Sequence, residues 1–389
     1  MNILITFAAF CLLTISCAPG GLESQWPVDP ETGLRMSFVE PVPPLPQWES
    51  NPSNQDKEDL GRFLFWDGRI SGSKTAVCGN CHLSMTLFQS STPLDVPDRS
   101  YPELGPSLHR NAPALMNIVY APMMRWDGSH YNENESSEYN LFEMMALPYA
   151  EANMNLSQLP ASEGERVDIT GAQGVMYEKL TEEIPGYVDS FEKAFGEDIR
   201  ELSIEETWHR VGQALATFMR VAVSRDSAFD RWNAGEDGAI TDAAIRGADI
   251  FSGKAGCSMC HYGAFLSDFQ FHNVSTSPPA ADGARHDEGR FLVTGKELDA
   301  GKFLTPMLRG VGQTSPYFHD GSETSLYEVI RQKTTKRVLL DPLHSPVLAN
   351  LPELSDEDID DMVQFLKSLD GSPLPIEKLA PLVREDLPQ

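Results

Sequence analysis

The chain is short of basic side chains, of long apolar runs and of cysteine that could be spent on disulfides. Its 30 Lys and Arg stand against 57 Asp and Glu, a net charge of −27, which excludes nucleic acid as a partner on electrostatic grounds. Such acidity serves solubility, and it can also steer a basic protein partner. Of six Cys, Cys11 and Cys17 lie in an N-terminal apolar segment and the others fall in two short motifs, so no disulfide framework remains. The apolar segment, Ile3 to Ile15, is too short to span a membrane and lacks Lys or Arg at its start. It reads as the apolar region of a secretory signal. Convincing strand runs are absent as well, so the expected fold class is mainly α. The 389 residues suffice for two domains with a core in each.

What is present begins with Cys78-Gly79-Asn80-Cys81-His82, matched far downstream by Cys257-Ser258-Met259-Cys260-His261. A c-type haem needs two thiols one helical turn apart for its vinyl groups and an imidazole directly after them for the iron. Both stretches supply that set. The competing zinc reading joins two C-x-x-C knuckles into one four-thiolate site, but such knuckles usually lie about 15 to 20 residues apart. Here they occupy different halves of the chain, and zinc gives no reason for a His after each second Cys. The cofactors expected are therefore two covalently bound haem c groups. Export follows, because c-type attachment in bacteria takes place outside the cytoplasm, and the expected location is the periplasm. Leu13-Thr14-Ile15-Ser16-Cys17 resembles a lipoprotein processing site, which would give Cys17 a lipid anchor to a membrane; an ordinary cleaved signal is the alternative.

The expected organisation is a signal over 1–17, a Pro/Gly-rich tether or strap over 18–55, an N-terminal haem domain over 56–235, a C-terminal haem domain over 236–372 and a tail over 373–389. Apolar spacing predicts helices over 56–66, 141–147, 175–195, 204–232 and 242–251, and one capped by Ser355 with a core face of Ile359, Met362, Val363, Phe365 and Leu366. The polar stretch Asn233 to Gly238 is the candidate domain boundary. A helix precedes each haem motif, a weak internal duplication.

The first half carries Leu60-Gly61-Arg62-Phe63-Leu64-Phe65, Arg110-Asn111-Ala112-Pro113, Trp126-Asp127-Gly128 and Ser227-Ala228-Phe229-Asp230-Arg231, and the second half Phe271-His272-Asn273, Gly289-Arg290-Phe291 and Thr314-Ser315-Pro316-Tyr317-Phe318-His319-Asp320-Gly321. With these pieces in this order the chain bears a resemblance to the bacterial diheme cytochrome c peroxidase and MauG family. It implies two cytochrome c-like helical domains, each with one covalently attached c-type haem, the haems facing each other across an interface. Carried over residue by residue, it makes His82 and His261 iron ligands and places Trp126 between the haems, where by position alone it would be a core Trp. It also makes Asn111, Thr314 and Pro316 a calcium site, for which a turn-stabilising Asn111 is the alternative. His319 would support a propionate or the inter-haem network, and His109 would be a removable ligand of the first haem.

The chain departs from the family around both irons. Peroxide cleavage needs a group that moves a proton between the two oxygens. Relatives carry a Gln and a Glu on either side of the Pro matched by Pro148, where this chain has Met144 and Met154. Glu151 and Asn153 are the nearest substitutes, and a solvated loop Glu is the plain alternative for Glu151. At the second haem, relatives ligate iron with Met, or with Tyr in the MauG type; the matching position here is Lys333. The alternatives are a solvated Lys333 in a basic helix end, an open site, or His344 as ligand. The surface Trp of MauG is replaced by Ala255, with Trp208 and Trp232 as less suitable stand-ins.

The function expected is reduction of hydrogen peroxide at the His82 haem with electrons delivered through the His261 haem from a small redox protein such as cytochrome c. The alternatives are a MauG-like enzyme that oxidises an aromatic residue of a partner protein, and a non-catalytic diheme electron-transfer protein.

Overall fold

Each of the two cores is built on a pair of helices that cross at a glycine. The computed structural model describes residues 25–71, 77–82, 110–129, 170–276, 285, 287–335, 341–371, 376–379 and 387–389. In the first pair, α1 (Gln55–Trp66) is capped by Asn54, whose side chain accepts from the Lys57 amide, and it turns Leu60, Gly61, Leu64 and Phe65 inward. Gly61 meets the helix that follows in the same core, whose Ala214 carbonyl oxygen would lie 2.1 Å from a Cβ at this position. The second pair repeats the arrangement with Gly247, where a Cβ would lie 2.0 Å from the Asp361 carbonyl oxygen. Only glycine permits backbones to approach so closely. Thus the helix leading to each Cys-x-x-Cys-His motif is fixed against its partner in the same way.

After α1 the chain contributes α2 (Cys78–Cys81), α3 (Thr170–Glu178), α4 (Gly186–Phe195), α5 (Ile204–Met219), which carries Ala214 and completes the first pair, and α6 (Ala228–Asn233). After them come α7 (Asp242–Ser252), α8 (Phe291–Thr294), α9 (Leu326–Thr334) and α10 (Asp356–Ser368). Among the described residues the only sheet is a two-stranded antiparallel ribbon, Phe271–His272 against Phe303–Leu304, so the fold is mainly α as expected. No helix among them is long and apolar enough to cross a membrane.

Two predicted helices are interrupted. The pattern over 175–195 ends α3 in a π-helical turn over Lys179–Glu183, and α4 starts afresh after Pro185, which has no amide hydrogen to continue the ladder. The pattern over 204–232 is broken after Met219. There Asn117 takes over the chain, its amide donating to the Ala222 carbonyl and its side-chain oxygen accepting from the Ser224 amide. Ser227 and Asp230 then form a capping box that starts α6. The helix capped by Ser355 forms as predicted, with Ile359, Met362, Phe365 and Leu366 buried and Val363 packed at the margin of the core. The pattern over 141–147 lies outside the described residues.

Buried apolar side chains fall into two clusters. One runs from Trp48 to Ala222 and the other takes in Phe229 to Leu369. The Pro/Gly-rich segment joins both: Met36 and Val39 belong to the second cluster and Trp48 to the first. Asn233 secures it by donating to the Met36 and Val39 carbonyls. At the other end of the chain Leu379 is buried in the first cluster, and its carbonyl accepts from the Trp66 indole at 3.1 Å.

Candidate haem sites

The second motif shows how the sequence prepares an imidazole for metal. Gly256, at φ +63°, starts a 3₁₀ turn over Cys257–Met259, and the His261 amide closes back on the Cys257 carbonyl at 2.9 Å. Both cysteines and the histidine therefore share one turn. His261 Nδ1 lies 2.8 Å from the Leu266 carbonyl, which only an Nδ1–H can satisfy, so the Nε2 lone pair is left for a ligand. Burial lowers the His261 pKa, with the charges of His272 and Lys333 adding to the effect, and keeps the ring neutral. Arg309, almost wholly buried, donates to the Ala264 carbonyl and pairs with Asp230, fastening the loop that carries Leu266.

Both thiols of this motif are partly desolvated. Burial pushes Cys257 up to about 12 and Cys260 up to about 11. Cys260 does lie in a group with Asp268 and His272 that could hold a metal. However, His272 Nε2 and Asp268 are bound to each other at 2.7 Å. The donor set of this turn fits a covalently attached haem.

In the first motif α2 is a single helical turn, and the His82 amide closes on the Cys78 carbonyl at 2.9 Å. Gly79 is pressed against the Trp66 ring, within 1.8 Å of where its Cβ would stand. Cys78 packs against the first cluster and His82 is half-buried.

Trp126 sits in a seam where segments of the two halves bind each other. Its indole donates to the Asn111 carbonyl at 2.8 Å, and its own carbonyl accepts from the Leu304 amide at 2.8 Å. Next to it, Arg110 reaches Asp127 at 2.7 Å with one nitrogen and Asp287 at 2.6 and 2.8 Å with two others. Arg290 donates to the Asp127 and Gly128 carbonyls and lies 4.4 Å from the centre of the Phe271 ring. Burial alone would raise the Asp127 and Asp287 pKa values; the Arg110 charge and hydrogen bonds overcome it and hold both below the usual range.

Asn111 and Pro316 also meet here. The Asn111 side-chain amide donates to the Pro316 carbonyl at 2.8 Å, its main-chain amide donates to the His319 carbonyl, and its buried Oδ1 has no hydrogen-bond partner. Thr314 is buried two residues before Pro316. His319 is 2% exposed, stacked on Phe303 at 3.7 Å, with Nε2 3.9 Å from Asp287 and Nδ1 unpartnered. Burial lowers it to about 4.

Lys333 closes α9. It is half-buried, not solvated: Nζ donates to the Val274 carbonyl at 2.9 Å and lies 4.5 Å from the centre of the Phe318 ring, and burial pushes it down to about 7. His344 directs Nδ1 to the Asp341 carbonyl at 2.7 Å. Trp208 and Trp232 are core residues, 1% and 0% exposed, which removes them as surface relays. Glu151 and Asn153, with Met144, Pro148, Met154, His109 and Cys17, lie outside the described residues. The Arg110–Asp127–Asp287 cluster and the His261–Leu266 bond are contacts that motif reading misses. Arg110 and Asp127 both sit in quoted motifs, yet nothing local joins them to Asp287.

Comparison with known proteins gives the family. Residues 55–238 match the family described as di-haem cytochrome c peroxidase. The cytochrome-c peroxidase IdrP1 of Denitromonas iodatirespirans is 33% identical over 320 residues, covering 75% of each chain. The methylamine utilization protein MauG of Methylophilus methylotrophus is 31% identical over 346 residues, covering 88% of this chain and 90% of the relative. A crystal structure of a MauG-like protein associated with microbial copper homeostasis shares the fold, with a TM-score of 0.66 at 24% identity over 89% of this chain and 97% of that one. The chain belongs to the diheme cytochrome c peroxidase and MauG family, a peroxidase-family group of oxidoreductases.

Proposed function

We propose that this protein reduces hydrogen peroxide at the haem carried by His82, with electrons from a small redox protein taken in at the haem carried by His261. When bound, the two irons supply the redox chemistry that turns one peroxide, two electrons and two protons into two waters. The chain's own contribution is positional. His261 is oriented through Nδ1, and Trp126 is fastened on both sides of the seam, where an aromatic ring shortens the gap between two redox centres. In this reading the two apolar clusters are the cores of two haem domains, divided near Asn233 to Gly238. Asn111 Oδ1, with the carbonyls of Thr314 and Pro316, is offered to a calcium ion, which oxygen donors suit. Glu151 and Asn153 are the candidates for moving the proton. Export to the periplasm, with Cys17 as a lipid anchor, belongs to the same proposal.

The observation that carries this reading is the placement of Trp126, hydrogen-bonded to Asn111 in its own half and to Leu304 in the other. Replacing Trp126 with Ala is expected to slow peroxide turnover with reduced cytochrome c by about tenfold or more, a barrier rise of ~1.4 kcal/mol. Haem content should stay the same. Unchanged turnover would remove Trp126 from the electron path. A second reading, oxidation of an aromatic residue on a partner protein as in MauG, is favoured by Lys333 standing where a thioether is expected. Peroxide consumption by the ferric protein together with its unmodified partner, without any cytochrome and with the two electrons lost by the partner's aromatic residue, would select it.

A further inference from the structure

His261 is held by more than its own turn. The carbonyl that takes its Nδ1–H belongs to Leu266, which is wholly buried and stands at φ +51°, in the left-handed region that bulky residues avoid. Phe269, three residues on, shares that conformation at φ +51°. Such a backbone persists only where its surroundings impose it.

Arg309 is the centre of those surroundings. Its side chain is 1% exposed, and its nitrogens go to three different parts of the chain. Nε donates to the Ala264 carbonyl, two residues before Leu266. One terminal nitrogen pairs with Asp230 of α6 at 2.7 Å, and the other donates to the Glu40 carbonyl at 3.0 Å, in the Pro/Gly-rich segment. Asp230 is itself fixed, since the same oxygen accepts from the Ser227 amide and hydroxyl at 2.9 and 2.8 Å. Beside Arg309, the Leu308 amide donates to the Phe265 carbonyl at 3.2 Å, and the Gly263 amide donates to the Phe38 carbonyl at 2.8 Å. The loop is thus gripped at Gly263, Ala264 and Phe265, directly before the carbonyl that meets His261.

We infer that Arg309 is a positioning residue for His261: by anchoring the 263–266 loop to α6 and to residues 38–40, it holds the Leu266 carbonyl on Nδ1–H and so fixes the electron donation of the imidazole. This rests on the haem reading of the Cys257–His261 motif and not on the choice between peroxidase and MauG-like chemistry. A hydrogen-bonded ring N–H makes the opposite nitrogen a stronger donor, and stronger donation favours ferric iron. The clamp therefore keeps the potential of this haem down. It also gives Asp230 a task beyond capping its helix.

The test compares the exported holoprotein with two variants. Arg309→Lys has a single ammonium that cannot span three separated acceptors, and Arg309→Met/Asp230→Asn leaves no stranded charge. With two haems still present by pyridine haemochrome, one midpoint potential is expected to rise by the equivalent of about a tenfold change in the ratio of reduced to oxidised iron, ~59 mV. The other haem should not move. In the paramagnetic NMR spectrum one of the two proximal ring N–H signals should exchange with deuterium about tenfold faster, because its hydrogen bond opens more often. Variants that keep two haems and lose stability but show neither change would confine Arg309 to the fold and overturn the inference. Asp230→Asn weakens the anchor and keeps the guanidinium, so it should move both readouts the same way by less. If the Arg309 variants lose the second haem, unchanged potential and exchange in Asp230→Asn overturn the inference equally. Fewer than two haems in the native protein would instead sink the haem reading itself.

Discussion

Replacing Arg110 with Ala is expected to destabilise the protein by about 3 to 5 kcal/mol, the usual penalty for removing one partner of a buried ion pair. Two carboxylates would lose their counter-charge at once, because Asp127 and Asp287 are only 10% and 7% exposed in their side chains. Arg110→Lys should recover only part of this loss, since a single ammonium cannot address both carboxylates as the guanidinium fork does. In the native protein both aspartates have depressed pKa values, so their contribution is present above the ordinary aspartate value of 3.8 and is lost as pH falls through the lower folded values. Without Arg110, burial is left to raise them, and protonation then relieves the stranded charge. The gap between native and variant stability should therefore be widest near neutral pH and narrow below about pH 4. Denaturation with urea at several pH values measures it, and a gap independent of pH would show that the ion pairs are not its origin.

The second large effect is expected at Gly247. Alanine normally stabilises a helix interior by about 0.5–1 kcal/mol over glycine. Here the new methyl would meet the Asp361 carbonyl oxygen and carbon at 2.0 and 2.5 Å, and neither backbone atom can rotate away as a side chain would. Helices α7 and α10 would have to separate, so Gly247→Ala should cost about 1–3 kcal/mol and Gly247→Val more. Gly174, on α3 with nothing within 4 Å of its missing Cβ, is the control. Gly174→Ala should be neutral or stabilising. Equal behaviour of the two alanine variants in thermal unfolding would refute the close crossing.

What the sequence makes legible is what is encoded locally. The two haem motifs, the helix read over 56–66 and the Ser355–Asp358 cap all depend on residues within a turn of one another. Pro185 is likewise a local signal, and it separates α3 from α4. The break after Met219 has no such signal, since it depends on Asn117, 107 positions from Ser224. The seam is invisible for the same reason: Arg110 and Asp287 are 177 positions apart. Motif reading brings Asn111, Trp126 and His319 into view as separate pieces, and only the fold puts them around one ion-pair cluster. Glycine shows both sides of this. Gly61 is legible as part of a motif, but that it is needed because Ala214 approaches its backbone follows only from packing.

The account rests on one iron porphyrin attached to each half, and counting them tests it most directly. Pyridine haemochrome analysis of the exported protein should give two haems per chain. The count should fall to one in a Cys78→Ala/Cys81→Ala variant and equally to one in a Cys257→Ala/Cys260→Ala variant. A native protein with no Soret band, or a native count of one, would contradict it.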